Sequence, residues 1–180
     1  MKTITKIFEA AIKKNEEKGY KNLYVAIDVH GTIFKPTKQT HLIHADGGDK
    51  PHEVVCSYGV TPEFQFYWFA KECLTKLSAM PNVKLILWTS AIYQNEIVKK
   101  LNSFGIKIYA VNHNPDFAHN CSTQEIYADF STKFYFDILL DDKAGFDPQN
   151  DWEELYRFLE KKSREEYEKD LEEYRQELAK

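Results

Sequence analysis

The feature that most constrains the fold is a repeated pattern in which a short apolar segment is followed at once by polar residues. These apolar segments are Leu23–Ile27, Val83–Trp88, Ile106–Val111 and Phe134–Leu140. Nearly unbroken apolar runs of this length are typical of strands that are buried on both faces of a sheet. Because helical patterns alternate with them, we expect right-handed crossovers and a parallel sheet with helices on both faces. The predicted fold class is therefore a three-layer, Rossmann-like α/β fold.

The polar residues that follow these strands are the candidate site residues. They are Asp28, His30, Thr89, Asn112, Asn114, Asp141 and Asp142. In parallel α/β sheets, ligands bind in the crevice beyond the carboxyl ends of the strands. We therefore expect these residues to converge on one crevice. Asn112 and Asn114 have a second interpretation, because asparagine is common in turns and can stabilise the loop before Pro115.

Carboxylates dominate this set and predict a metal. Asp28, Asp141 and Asp142 would repel one another at one point, and could not all ionise without a counter-charge. A hard divalent cation supplies that charge, and ligation by oxygen alone indicates Mg²⁺. A bound phosphate would be neutralised by the ion, by backbone N–H groups of the Asp28–Thr32 turn and by Lys133. The sequence thus predicts a Mg²⁺-dependent phosphate site.

The chain length of 180 residues predicts a single domain over residues 1–160, followed by the protruding, charged end of a C-terminal helix over 161–180. A small flap insertion is expected at about 34–60, where two β-like pieces, Thr40–His44 and Glu53–Cys56, flank a glycine-rich turn. Because this insertion is too short to form a large lid, we expect the site at the strand ends to be accessible to substrates.

The insertion carries His41, His44 and His52 beside acidic residues. They can be interpreted as a second metal site, as a flap that contacts substrate, or as solvated polar residues on a hairpin. Their spacing is not diagnostic of zinc. The flap interpretation is favoured because the insertion follows the Asp28 turn directly.

Two helices carry further expectations. One is predicted to begin at Thr61 and to end before Pro81, with its aromatic residues in the core rather than on a base-stacking surface. Those aromatic residues are Phe64, Phe66, Tyr67, Trp68 and Phe69. In the C-terminal helix, Trp152, Leu155, Tyr156 and Leu159 form a stripe suited to packing on the sheet, and Tyr167, Leu171, Tyr174 and Leu178 continue at spacings of four, three and four. That second stripe predicts either a homodimer seam or a solvated, protruding helix.

Composition excludes several classes of protein. The net charge of −4 argues against general, sequence-independent binding to nucleic acid. Three cysteines without a C-x-x-C pair argue against a zinc knuckle or a thioredoxin-type motif, and reduced thiols, with Cys73 in the core, predict a cytoplasmic protein. We find neither a signal-peptide pattern nor a run approaching the roughly 20 apolar residues of a membrane span.

Four segments together resemble the motifs of the haloacid dehalogenase superfamily. Tyr24–Ile33 resembles motif one, an apolar strand followed by D-x-D-G-T, and Leu85–Thr89 resembles motif two. Lys133 resembles the motif-three lysine, and Ile138–Asp142 the acidic motif four. The motifs occur in the family's order, and the resemblance covers about residues 20–150. The chain further resembles the small, minimally capped, phosphatase-like members of bacteria and phages.

The resemblance implies a reaction and a set of roles. Asp28 would attack phosphorus and form an aspartyl-phosphate, which makes the chain a Mg²⁺-dependent phosphoric monoester hydrolase. The Asp28 carboxylate, the backbone carbonyl of His30 and the Asp141–Asp142 pair would hold the ion, with Asp142 the expected direct ligand. The substrate would be a phosphorylated small molecule or polymer end, and no membrane partner is expected.

The remaining roles concern the phosphoryl group. Thr89 would donate a hydrogen bond to it, and Lys133 would pair with both Asp28 and the phosphoryl group for in-line attack. The other expected substrate contacts are Gly31, Thr32, Ser90, Asn112 and Asn114.

One residue departs from the family's pattern. His30 stands where the phosphatases of the family carry a second aspartate, the general acid. A histidine can donate a proton near neutral pH, but a protonated ring next to Mg²⁺ is disfavoured. Three outcomes follow: a phosphatase that uses His30 or reacts slowly, a catalytically impaired protein that binds a phosphorylated ligand or a protein partner, or a different reaction on the same aspartate.

Overall fold

The computed structural model describes residues 3–35, 39–43, 52–56, 64–91, 93–117 and 134–178. The elements in chain order are α1 (Ile4–Lys18), β1 (Leu23–Asp28), β2 (Gln39–Ile43), β3 (His52–Cys56), α2 (Ala70–Ala79), β4 (Val83–Trp88), α3 (Gln94–Ser103), β5 (Ala110–Val111), β6 (Ile138–Leu140), a short 3₁₀ turn (Asp142–Ala144) and α4 (Asp151–Leu178).

The central sheet is parallel and has the strand order β5-β4-β1-β6. Every residue of β1 pairs with β4, from Leu23 opposite Val83 to Asp28 opposite Trp88. The chain moves outward from β1 to β4 and β5, and then returns to the other side of β1 to form β6. Strand order therefore reverses at β1, which is the position where α/β sheets bind ligands. The predicted three-layer, Rossmann-like α/β class is confirmed.

Two apolar layers cover the sheet, because alternate side chains of β1 point to opposite faces. Val25 and Ile27 belong to a large core cluster that includes residues of α1, α2, α3 and α4. Tyr24 and Ala26 belong to a second, smaller cluster with Phe134. Cys73 is buried in the larger cluster, as predicted. Burial on both faces makes β1 the most enclosed strand and holds its carboxyl end in place.

The segment before α2 differs from the prediction. The expected helix begins only at Ala70, and Thr61 lies outside the described residues. The backbone before it pairs instead with the segment after β1, where Phe34 forms an antiparallel bridge with Phe66. These non-local hydrogen bonds outcompete the local helical preference. The prediction that Trp68 packs in the core is wrong, because its side chain is 76% exposed.

The other elements follow the sequence pattern more closely. β2 and β3 form an antiparallel hairpin within the insertion. Helix α4 packs on α1 and α2 and buries Trp152, Leu155 and Leu159 in the larger core cluster, which confirms that this stripe is buried. Tyr167 and Tyr174 are exposed beyond it. None of the described helices is both long and apolar enough to cross a membrane.

Candidate functional site

Three carboxylates meet at the carboxyl edge of the sheet. Asp28 ends β1, and Asp141 and Asp142 follow β6, whose Leu140 pairs with Ile27. One carboxylate oxygen from each of the three aspartates lies within 4.8 Å of the others. Parallel pairing of adjacent strands thus produces the convergence that the sequence predicts. A group of this kind is able to hold a divalent cation.

The turn after Asp28 brings its backbone close to this group. Gly31 has a φ of +87°, and a Cβ built on it would lie 3.0 Å from Oδ2 of Asp142. The turn is closed by the Gly31 N–H, which donates to the Phe34 carbonyl at 2.9 Å. Glycine is therefore required here both by the left-handed backbone and by the approach of a carboxylate.

Thr32 connects the two acidic segments. Its hydroxyl donates to Oδ2 of Asp28 at 3.3 Å and accepts from the Asp142 N–H at 3.0 Å. Its carbonyl accepts a hydrogen bond from Nε1 of Trp152 at 2.9 Å. The side chain is fully buried, so these contacts favour a supporting role over the predicted contact with substrate.

The electrostatics of the site centre on Asp28. Burial raises the pKa of Asp28 to about 6, against a hydrogen bond from the Val29 backbone that lowers it, and the charge of Asp141 raises it further. Lys143 opposes this rise, and its Nζ lies 3.3 Å from Oδ1 of Asp142. An aspartate with a raised pKa, close to two other carboxylates, is expected at a site that binds a cation.

His30 contacts a tyrosine from the neighbouring strand-to-helix connection. Its Nε2 lies 2.9 Å from the Tyr93 hydroxyl, with the two rings nearly perpendicular. Burial lowers the pKa of His30, and the positive charge of Lys143 lowers it further. Both effects favour the neutral imidazole over the protonated one, which weakens His30 as a proton donor.

Thr89 lies one residue beyond Trp88, the pairing partner of Asp28. Its backbone N–H donates to Oδ1 of Asn112 at 2.8 Å, and its carbonyl accepts from Nδ2 of Asn112 at 2.6 Å. The backbone of Asn112 has a φ of +56°. Its side chain thus continues the pairing of β4 with β5 by one residue. This arrangement favours the stabilising interpretation of Asn112 over contact with substrate.

The other predicted contacts divide in the same way. Asn114 is buried, donating from Nδ2 to the Tyr135 carbonyl at 2.9 Å and accepting from the Asp116 N–H at 3.1 Å. It therefore joins two loops instead of facing the site. Ser90 is exposed at the end of β4. Lys133 and His44 lie outside the described residues, as do the side chains of His41 and His52.

Sequence reasoning missed three residues that shape the site. Tyr93 contacts His30, Lys143 lies beside Asp142, and Trp152 supports Thr32. Lys143 has a signal in the sequence, since it directly follows the acidic pair. Tyr93 and Trp152 have none, because the sheet brings them to partners far away in the chain.

Comparisons with known proteins do not assign a family or a function to the chain. No protein-family model matches the chain, and no curated protein matches it. Among solved structures, it is similar to one described as "the conserved protein coded by locus from Bacteroides thetaiotaomicron", with 23% identity and a TM-score of 0.47. The match covers 78% of this chain and 92% of that one. Any functional argument therefore rests on the residues of the site.

Proposed function

We propose that the chain is a Mg²⁺-dependent phosphoric monoester hydrolase of the haloacid dehalogenase type. It acts through an aspartyl-phosphate on Asp28. The observation that carries this proposal is the approach of the Asp28, Asp141 and Asp142 carboxylate oxygens to within 4.8 Å of one another at the carboxyl edge of a parallel sheet.

The residues present fit a magnesium ion. The donors are oxygens of three carboxylates, which Mg²⁺ prefers. Burial, and then the charge of Asp141, raises the pKa of Asp28, so a bound cation would favour its ionised form. Asp28, Asp141, Asp142 and the carbonyl of His30 would hold the ion. When bound, it would neutralise charge on the phosphoryl oxygens and keep Asp28 ionised.

The reaction then uses the chain's own groups. A carboxylate oxygen of Asp28 attacks phosphorus, and the bond to the leaving oxygen breaks. That oxygen departs as a stable anion or takes up a proton from His30 or from water. Water then attacks the phosphoryl group, so that inorganic phosphate leaves and the Asp28 carboxylate is restored. The Thr89 hydroxyl accepts from the Ala91 N–H, which leaves its own hydrogen to be donated to a phosphoryl oxygen. Lys133 has the role that the resemblance implies.

The position of His30 favours a second candidate function. The lowered pKa of His30 and its contact with Tyr93 disfavour the charged imidazole that would protonate an alkoxide. A protein with these properties would bind phosphorylated ligands, or a protein partner, and would hydrolyse phosphate esters very slowly. Substrates whose leaving group needs no proton distinguish the two functions.

The test compares two substrates with Mg²⁺: 4-nitrophenyl phosphate, whose leaving group is stable as an anion, and glycerol phosphate, whose leaving group is not. We expect turnover of the aryl ester, slow turnover of the alkyl ester, and loss of both in Asp28→Asn. Asp170→Asn, which changes an exposed carboxylate on α4, is the matched control and should retain activity. His30→Asp should accelerate the alkyl ester. If the wild-type chain turns over neither ester, the binding function replaces the hydrolase.

Two further properties belong to this proposal. We place the protein in the cytoplasm, where the thiol of the buried, free Cys73 stays reduced.

We also propose that the exposed Tyr167 and Tyr174 of α4 form a homodimer seam. Analytical sedimentation tests the seam by comparing the full chain with a Tyr167→Ala/Tyr174→Ala double variant. We expect the full chain to sediment as a dimer and the double variant as a monomer, and a monomeric full chain would exclude the seam.

A further inference from the structure

Trp68 is the most exposed large apolar side chain in the described part of the molecule, with 76% of its surface accessible. An indole in water is energetically unfavourable, and tryptophan is enriched where proteins bind ligands. The neighbouring Phe66, Tyr67 and Phe69 are all partly buried against the core. The exposure of Trp68 is therefore a local exception in an otherwise packed aromatic segment.

The backbone fixes Trp68 relative to the proposed phosphate site. The Tyr67 N–H donates to the Ile33 carbonyl at 3.0 Å, and the Lys35 N–H donates to the Gln65 carbonyl at 2.8 Å. These bonds fasten the segment to the chain that leaves the Asp28 turn. Phe69 then adopts a φ of +62° and packs on Tyr156, with ring centroids 5.1 Å apart. The left-handed backbone of Phe69 thus accompanies a change from the exposed Trp68 to the partly buried Phe69.

A cavity of about 500 Å³ borders the indole and is lined by Lys35, Tyr67, Trp68, Pro148 and Gln149. Its walls continue from the two segments that carry the acidic residues: Lys35 follows the turn after Asp28, and Pro148 follows the Asp142 turn. The cavity is large enough for a ring system of a small ligand. A ligand in this cavity would contact the two chain segments that also carry the proposed phosphate site.

The lining of this cavity indicates the kind of ligand. An indole face binds flat aromatic rings by stacking. The Lys35 ammonium supplies donors, and the Gln149 amide supplies both a donor and an acceptor, as the polar edge of a nucleobase requires. A second cavity, of about 390 Å³, also borders Trp68, but Glu72 in its lining offsets the positive charge of Lys71, whereas no carboxylate of the described residues lines the cavity beside Lys35. The cavity beside Lys35 therefore suits an anionic aromatic compound better.

We propose that Trp68, Lys35 and Gln149 form a base-binding subsite for a nucleotide whose phosphate lies at Asp28. This inference rests on the proposed function and names its substrate class. Stacking on Trp68 provides most of the preference for a base, and Lys35 and Gln149 contact the base edge. A phosphorylated sugar without a base would reach Asp28 but would leave this subsite empty.

The test compares adenosine 5′-monophosphate with ribose 5-phosphate, with Mg²⁺ present throughout. In the wild-type chain we expect a higher kcat/KM for the nucleotide. Trp68→Ala should lower that value about tenfold, mainly through KM, and leave ribose 5-phosphate unaffected. Trp68→Phe should restore most of the difference. Tyr20→Ala, which removes an exposed aromatic side chain from the segment between α1 and β1, is the matched control.

Calorimetric binding of adenosine 5′-monophosphate separates this inference from the proposed function. Binding that weakens about tenfold in Trp68→Ala supports the subsite even if no ester is hydrolysed. Hydrolysis of both esters with equal kcat/KM, or equal loss of both in Trp68→Ala, overturns it. So does self-association that Trp68→Ala abolishes without any effect on nucleotide binding, since Trp68 would then belong to a protein interface.

Discussion

At the level of single residues, the raised pKa of Asp28 makes the stability of the fold depend on pH. Its pKa is raised to about 6, well above that of an aspartate in an unfolded chain. Folding therefore disfavours the ionised form. As pH rises from about 4 through 6, the unfolded chain loses its proton first, and the folded state loses stability relative to it.

Removing this charge should stabilise the protein without metal. In EDTA at pH 8 we expect Asp28→Asn to unfold at a higher temperature than the wild-type chain, and near pH 4 we expect the two to unfold together. Saturating Mg²⁺ at pH 8 should reverse the order, because binding to the ionised Asp28 stabilises only the wild type. Thermal unfolding followed by circular dichroism measures all three comparisons. A difference between the variants that is the same at both pH values would contradict the assigned cause.

Gly31 is constrained in two ways that can be separated. Gly31→Ala adds a Cβ at a positive φ and places it 3.0 Å from the Asp142 carboxylate, whereas Gly105→Ala adds one at a φ of +79° with nothing within 4 Å. Both should lose about 1 kcal/mol of unfolding free energy from the backbone. Only Gly31→Ala should also weaken Mg²⁺ binding, by displacing Asp142. Urea unfolding and calorimetric Mg²⁺ titration test this, and equal Mg²⁺ affinities would exclude the displacement.

At the level of elements, the sequence identifies strands better than it sets their lengths. The apolar run Ile106–Val111 predicts a full strand, but only Ala110 and Val111 pair with β4. The run Phe134–Leu140 likewise yields pairing over Ile138–Leu140 alone. An apolar pattern indicates that a segment is buried. A strand also needs a neighbouring strand that pairs with it in register, and the local sequence does not show where that neighbour lies.

The short β5 depends on Asn112 to extend its pairing. Asn112→Ala should leave the Thr89 N–H and carbonyl without their side-chain partners and lower the unfolding free energy by about 1–3 kcal/mol. Asn112→Gly should lose less, because glycine accepts the positive φ freely. Urea unfolding ranks the three chains. Wild-type stability in Asn112→Ala would mean that water replaces both hydrogen bonds at no cost.

Helix α4 should divide into a structural half and a dispensable half. A chain ending at Ser163 keeps Trp152, Leu155 and Leu159, and removes residues that are nearly all exposed. We expect its unfolding free energy, measured in urea at low protein concentration, to stay within about 0.5 kcal/mol of the full chain. A loss of several kcal/mol would show that the distal half contributes to the fold.

At the level of the whole molecule, the strand-end rule predicted where Asp28, Asp141 and Asp142 lie, because the topology follows from alternating strands and helices. The contacts that set the surroundings of His30 and Thr32 are non-local. Tyr93 reaches His30 across 63 residues, and Trp152 reaches Thr32 across 120. The exposure of Trp68 likewise follows from pairing with the chain after β1. Such contacts depend on the packed structure and carry no mark in the local pattern.

The hydrogen bonds of Thr32 have a consequence for how the site is lost on heating. One residue joins both acidic segments through its hydroxyl and holds the core tryptophan Trp152 through its carbonyl. We therefore expect the acidic site and the hydrophobic core to belong to one cooperative unit. On heating, loss of the site should coincide with global unfolding.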